Sequence, residues 1–142
     1  MVNDQLVEQI KRHEGFVEHA YQDTEGYWTI GFGRLIDKRL GGGISKGEAT
    51  FMLRNDISNA YGELIRAYPW MDELDAARRD AFINMVFNLG LPRFAQFKKM
   101  LASAEQGDWS ACAEHALDSR WATQVGQRAK ELSIQIKTGQ YT

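Results

Sequence analysis

The hydrophobic positions of the chain recur at two periods, and the change between them marks the elements. From Asn3 to His13, Leu6, Val7 and Ile10 stand in a polar background, the pattern of a one-sided helix with Asn3 or Asp4 as its N-cap. Gly15 supplies the stop. Residues 16–35 then shorten the period to two and predict a small antiparallel β element, with Glu25-Gly26 in its tight turn. In the strand Tyr27-Trp28-Thr29-Ile30-Gly31-Phe32-Gly33, alternation sends Trp28, Ile30 and Phe32 towards a core. Tyr27, Thr29, Gly31 and Gly33 then form the opposite face. One aromatic, one hydroxyl and two glycines pack poorly together and leave room for something to lie against the backbone.

The rest of the chain reads as helices. Ser45-Lys46-Gly47-Glu48 is a capping box opening a helix that runs to about Tyr68, where Pro69 closes it. Ala49, Leu53, Ile57, Ala60, Leu64 and Tyr68 form its apolar stripe. Such a helix spans roughly 30 Å, enough to link two lobes. Asp75 caps a second helix, Ala76 to Leu89, ended by Gly90, and its stretch 81–87 is apolar nearly all round, as at the centre of a bundle. Asn84 and Asn88 on that helix therefore need hydrogen-bond partners. Beyond Pro92 come short helices, with Phe94, Phe97, Met100 and Leu101 on one or two of them. Trp109 to Leu117 forms another, and the last begins near Gly126. Gly41–Gly43 reads either as a mobile rim or as a merely shortened loop. No internal repeat is visible.

At 142 residues, 44% hydrophobic and 25% charged, the chain has the size and composition of one soluble domain with a real core. Its single cysteine, Cys112, rules out an internal disulfide, fits a reducing cytosol, and shares a helical face with Trp109 and Ala116 as a small buried residue. The net charge of −2 is unevenly spread: residues 1–90 carry 10 Lys and Arg against 14 Asp and Glu, residues 91–142 carry 7 against 5. That is no nucleic-acid footprint, and any attraction to an anionic surface must come from the C-terminal part. The first 13 residues fit neither a signal peptide nor a membrane span, so the chain is expected in the cytoplasm. His13, His19 and His115 lack zinc spacing, and neither a Gly-x-Ser-x-Gly elbow nor a phosphate loop occurs, so neither metal nor cofactor is expected.

Two carboxylates, Glu14 and Asp23, flank the open strand face that carries Thr29. Singly, each is an ordinary residue for its place. As an ordered set they weigh more. A helix-terminal Glu-Gly followed by Tyr-x-Asp-Thr-Glu-Gly-Tyr-x-Thr-Ile-Gly-x-Gly resembles the active-site region of phage-type lysozymes, the endolysin muramidase family of the T-even bacteriophage enzyme. Ser119-Arg120-Trp121 and Arg128-Ala129-Lys130 extend the resemblance over nearly the whole chain, apart from a shortened loop at 36–44. It implies an α+β, mostly α fold with a cleft between two lobes. The β lobe would occupy about 14–45, the linking helix 46–68, and the helical lobe 69–142 together with 1–13.

Glycosidic hydrolysis needs an acid for the leaving oxygen and a second group for water, which paired carboxylates supply. The resemblance implies Glu14 as general acid, its proton retained by partial burial at the lobe junction. It implies Asp23 as ionised base, Thr29 holding the attacking water, and inversion at the anomeric carbon. It also implies substrate contacts from Gly33, Leu35, Met85, Phe87 and Asn88, the last standing where the T-even enzyme has glutamine. Arg128 would orient Glu14. Glu25–Arg120 and Arg34–Asp56 would be bridging ion pairs, with Arg34 in place of a histidine and the link expected to be less acid-sensitive. The implied substrate is the β-1,4 bond between N-acetylmuramic acid and N-acetylglucosamine in peptidoglycan. The protein would be a monomer that stays in the host cytoplasm until a holin opens the membrane. Two rival readings are a lytic transglycosylase, which would leave Asp23 and Thr29 idle, and a catalytically silent wall-binding protein.

Overall fold

The computed structural model describes residues 2–36 and 41–142. Within it the chain forms two compact units, Met1–Phe51 and Met52–Thr142. The first unit takes in residues 1–13, which the sequence reading grouped with the helical lobe.

In the first unit, helix α1 spans Asp4–Glu14. The Asn3 side chain accepts the Gln5 N–H at 2.8 Å and so satisfies one of the amides a helix start leaves open. At the other end Gly15, at φ 71°, donates to the Lys11 carbonyl. Three strands follow, β1 (Val17–Gln22), β2 (Trp28–Gly31) and β3 (Arg34–Leu35), antiparallel in that order. Tyr21 and Leu35 flank Thr29 across the sheet, and β1 is irregular between Val17 and Tyr21.

The covered face expected of β2 is overturned here. Trp28 is 47% and Phe32 43% exposed, whereas Thr29 is the one buried side chain among the described residues of this unit. Thr29 is covered because Tyr21 and Leu35 flank it on the neighbouring strands, and Phe32 lies past the end of the strand. β2 is only four residues long, and Gly31 and Gly33 at φ 69° and 75° take the chain out of the extended run after Ile30. Phe32 turns instead to Phe16, ring centroids 5.3 Å apart, with the Lys11 ammonium 5.7 Å from its ring. Of the glycine loop, Gly43 donates to the Leu35 carbonyl at 2.8 Å, while residues 37–40 lie outside those described. The Ser45–Glu48 box is formed in both directions: the Ser45 N–H donates to Glu48 Oε1 (2.9 Å) and the Glu48 N–H to Ser45 Oγ (3.1 Å). It opens α2, Lys46–Ala67, within which the unit boundary falls.

The second unit holds the hydrophobic core. The α2 stripe is buried only at Ala60 and Leu64; Leu53 and Ile57 are exposed. A short 3-10 helix, Pro69–Glu73, leads to α3, Ala76–Leu89, capped by the Asp75 carboxylate and stopped by Gly90. Ala77, Ala81, Phe82, Ile83, Met85 and Val86 make α3 the centre of the bundle. Around it stand α4 (Leu91–Phe94), α5 (Lys98–Glu105), α6 (Trp109–Leu117), α7 (Arg120–Val125) and α8 (Gln127–Thr138). Phe82 meets Phe94 edge-on at 6.1 Å, and Phe94 meets Tyr68 at 5.9 Å. Burying each such ring contributes about 1.5–3 kcal/mol. Arg78 ties the end of α8 to α3, donating to the carbonyls of Ile136 (2.6 Å) and Lys137 (3.0 Å) and lying 4.6 Å from the Trp109 ring. Cys112 is fully buried, and desolvation pushes its thiol up to about 12, which makes it inert packing. The fold is α+β, mostly helical, with the small N-terminal antiparallel sheet the sequence predicts. No described helix is long and apolar enough to cross a membrane.

Candidate active site

Glu14 is the last residue of α1, placed where Gly15 breaks the helix. Its carboxyl lies directly on the β2–β3 turn: a Cβ at Gly33 would sit 2.6 Å from Oε2 and 2.9 Å from Cδ. Gly33 also has φ 75°, so close approach and backbone conformation both demand glycine there. Glu14 is an exposed residue of its own unit, and the partial burial expected of it at the lobe junction would involve both units and rests on the resemblance alone. Glu14 belongs to the last turn of an exposed helix, and the turn it touches has no side chain to cover it.

Asp23 is half-buried and locked by its own turn. Its Oδ1 accepts the N–H groups of Glu25 and Tyr27, both at 2.9 Å, while its own N–H donates to the Tyr27 carbonyl at 2.8 Å. An aspartate that bonds the backbone ahead of it is the usual nucleus of such a turn. Among the described residues Oδ2 has no hydrogen-bond partner, so one oxygen is fixed and the other is presented.

Thr29 is 2% exposed, and its hydroxyl donates to that same Tyr27 carbonyl at 3.1 Å. The open face expected of it is therefore closed, because Thr29 is the central rung between Tyr21 and Leu35. The hydroxyl's one proton is engaged at the Tyr27 carbonyl, while its lone pairs can still accept from water. What it does is share an acceptor with the Asp23 amide, which makes it a positioning residue for the Asp23 turn. Thr29→Val, nearly the same shape without the hydroxyl, should cost about 1 kcal/mol and lower activity, whereas Thr29→Ser should keep both. Thermal melts together with clearing of permeabilised cells check this.

Gly33 and Leu35 line an open recess of about 510 Å³ with Phe32, Arg34 and Gly41–Gly43. Arg34 braces its rim, donating to the Gly43 carbonyl (2.8 Å) and to both oxygens of Glu48 (3.3 and 2.5 Å). Its partner within this unit is thus Glu48; the pairing with Asp56 would join the two units and rests on the resemblance alone. The Ser45–Glu48 box already holds the Glu48 carboxylate beside the loop. The Ser45 N–H and then the Ser45 hydroxyl hold Glu48 below its ordinary value of 4.5; desolvation opposes them, and the Arg34 guanidinium adds the smallest lowering effect. A depressed folded value means stability present above the unfolded value and lost as pH falls through the lower folded one. Glu48→Gln should therefore destabilise at pH 7, and the gap to the parent should shrink on acidification; melting temperatures from pH 7 to pH 3 check it. The acid side belongs to the carboxylate whichever cation faces it. Arginine at 34 instead preserves the pair above neutrality, where histidine would lose its charge, so the expected gain in acid tolerance is withdrawn.

In the second unit Phe87 is 43% exposed and lines a recess of about 360 Å³ with Asp56, Asn59 and Glu63. Asn88 is exposed as well, and its Oδ1 accepts the Trp121 indole N–H at 2.7 Å. Met85 is 0% exposed and lies within the core, so the substrate contact expected of it is corrected: it faces the bundle interior, two positions from the open side at Phe87. Arg128 donates from Nε and Nη2 to Asn84 Oδ1 at 2.9 and 2.6 Å, the partner that a polar residue on this apolar helix called for. Glu25 and Arg120 are exposed side chains of separate units. Their pairing, like that of Arg128 with Glu14, would join the two units and rests on the resemblance alone. Sequence reasoning missed the Arg34–Glu48 brace and the Tyr27 carbonyl as a shared acceptor. The capping box was a signal for the first, and nothing local announced the second.

A sequence model of the family described as Phage lysozyme matches residues 11–135. The chain is 30% identical to the pre-baseplate central spike protein Gp5 of Enterobacteria phage T4 over 96% of its own length, and spans 28% of that protein. It is 29% identical to Probable T4-type lysozyme 1 of Dictyostelium discoideum, with 94% of each chain covered. An endolysin of Acyrthosiphon pisum secondary endosymbiont phage 1 is 30% identical over 84% of this chain and 80% of the relative.

Proposed function

The chain belongs to the phage lysozyme family, and on that premise we propose that it hydrolyses the β-1,4 bond between N-acetylmuramic acid and N-acetylglucosamine in peptidoglycan. Glu14 protonates the leaving oxygen. Asp23 takes a proton from water through its presented Oδ2, and water adds to the opposite face of the sugar ring, which inverts the anomeric carbon. Thr29 and the Tyr27 carbonyl keep the Asp23 turn in register. Gly33 and Leu35 form the bed of the recess on which a sugar ring would lie, and Phe87 and Asn88 are the exposed residues of the second unit offered as further substrate contacts. An acid role needs water excluded from Glu14, and a glycan lying over Gly33 would exclude it.

The observation that carries this reading is the placement of the Glu14 carboxyl on a glycine turn in the same compact unit as an aspartate with one oxygen tied down and one free. As a lytic enzyme the protein would act as a monomer, need no cofactor, and wait in the host cytoplasm for a holin to expose the wall. Incubation with purified sacculi tests the reading: release of soluble muropeptides with new reducing ends supports it, and intact sacculi at high enzyme concentration refute it.

A further inference from the structure

The cations of the C-terminal part are not spread over its surface. Four of the seven Lys and Arg residues in 91–142, namely Arg93, Lys98, Lys99 and Arg120, line one pocket of about 590 Å³ in the second unit. His115 joins them, and Asp118 is the one carboxylate in the lining. All four cations are exposed, and among the described residues none forms a salt bridge. Lys98 and Lys99 are moreover the first two residues of α5, a start with no acidic side chain in its first turn. Cations at that end of a helix oppose its dipole, so the fold gains nothing from them there. Much of the positive charge of 91–142 is thus gathered in one place, in no salt bridge among the described residues.

We propose that this pocket binds phosphate groups of a phosphodiester-linked polyol or sugar chain, the class of anionic polymer that can be attached to a glycan wall. Two guanidiniums offer the forked donors that suit phosphate oxygens, and two ammoniums add mobile point charges. A single carboxylate would leave most of this charge uncompensated, whereas successive phosphodiesters would neutralise it stepwise. Leu89 and Phe97 supply an apolar floor for the carbon backbone between phosphates. The source of the polymer rests on the wall-lytic reading above; the binding itself does not, since no bond need be cleaved.

The test is an NMR titration of the full chain with poly(glycerol phosphate), with glycerol and L-alanyl-D-glutamate as controls. The amides of residues 97–100 and 118–121 should shift with the polymer and not with the controls, and binding should weaken as salt is raised. The Lys98→Gln/Lys99→Gln double variant should bind about tenfold more weakly or worse. Its melting temperature should not fall, because the substitutions relieve the conflict with the α5 dipole. Absence of shifts, undiminished binding by the double variant, or equal binding of the acidic dipeptide would each overturn the proposal. A chain that binds the polymer but releases nothing from sacculi would refute the hydrolase reading and leave this one standing.

Discussion

Glu14→Gln should lower the clearing of permeabilised bacteria roughly a thousandfold, the magnitude expected when a general acid is replaced by an amide of the same shape. The structure makes this a clean substitution. Glu14 is exposed, and it is the size of its carboxyl that bears on Gly33, so glutamine fits the same space. Nothing in the core depends on it, because the core residues all lie in the second unit. The melting temperature should therefore stay close to the parent's. Equal clearing by variant and parent would remove Glu14 from the chemistry.

Met85→Ala should do the opposite. A fully buried methionine among Phe82, Val86 and their neighbours leaves a cavity when truncated, costing about 2–5 kcal/mol. Activity per folded molecule should be unchanged, and KM with it. Chemical denaturation alongside assays well below the melting temperature separates the two effects. A raised KM without loss of stability would restore Met85 as a substrate contact.

The contrast between these residues shows what the sequence could and could not disclose. The bounds of α3 were legible because Asp75 and Gly90 are local signals, a side-chain cap and a stop, each acting within a few residues. The Ser45–Glu48 box and the start of α1 at Asn3 were legible for the same reason. Glu14, Asp23 and Gly33 came as a motif, and the structure places Glu14 against Gly33 and locks Asp23 in its turn. Side-chain direction was where the reading failed. Alternation was right in period but wrong in which face is covered: Thr29 lies between Tyr21 and Leu35 and is buried, while Trp28 is exposed, and Phe32 lies beyond the strand where Gly31 and Gly33 take positive φ. Met85 and Phe87 sit two apart on a helix apolar nearly all round, and periodicity cannot choose a face on such a helix. The Arg34–Glu48 brace spans fourteen residues across a loop, beyond the reach of local pattern.

Thr29's burial bears on the proposed mechanism through the Asp23 turn, which its hydroxyl steadies. On the hydrolase reading proposed above, the Asp23 oxygen with no hydrogen-bond partner among the described residues is placed to hold the nucleophilic water. The proposed acid then comes from the end of α1 and the proposed base from the β1–β2 turn.

The anomeric configuration of the newly formed reducing end, followed by NMR in the first minutes of digestion of purified peptidoglycan, addresses that pair of roles most directly. An α-configured muramic acid that later mutarotates is the expected result. A β-configured product, or a 1,6-anhydro end with no water incorporated, would contradict it.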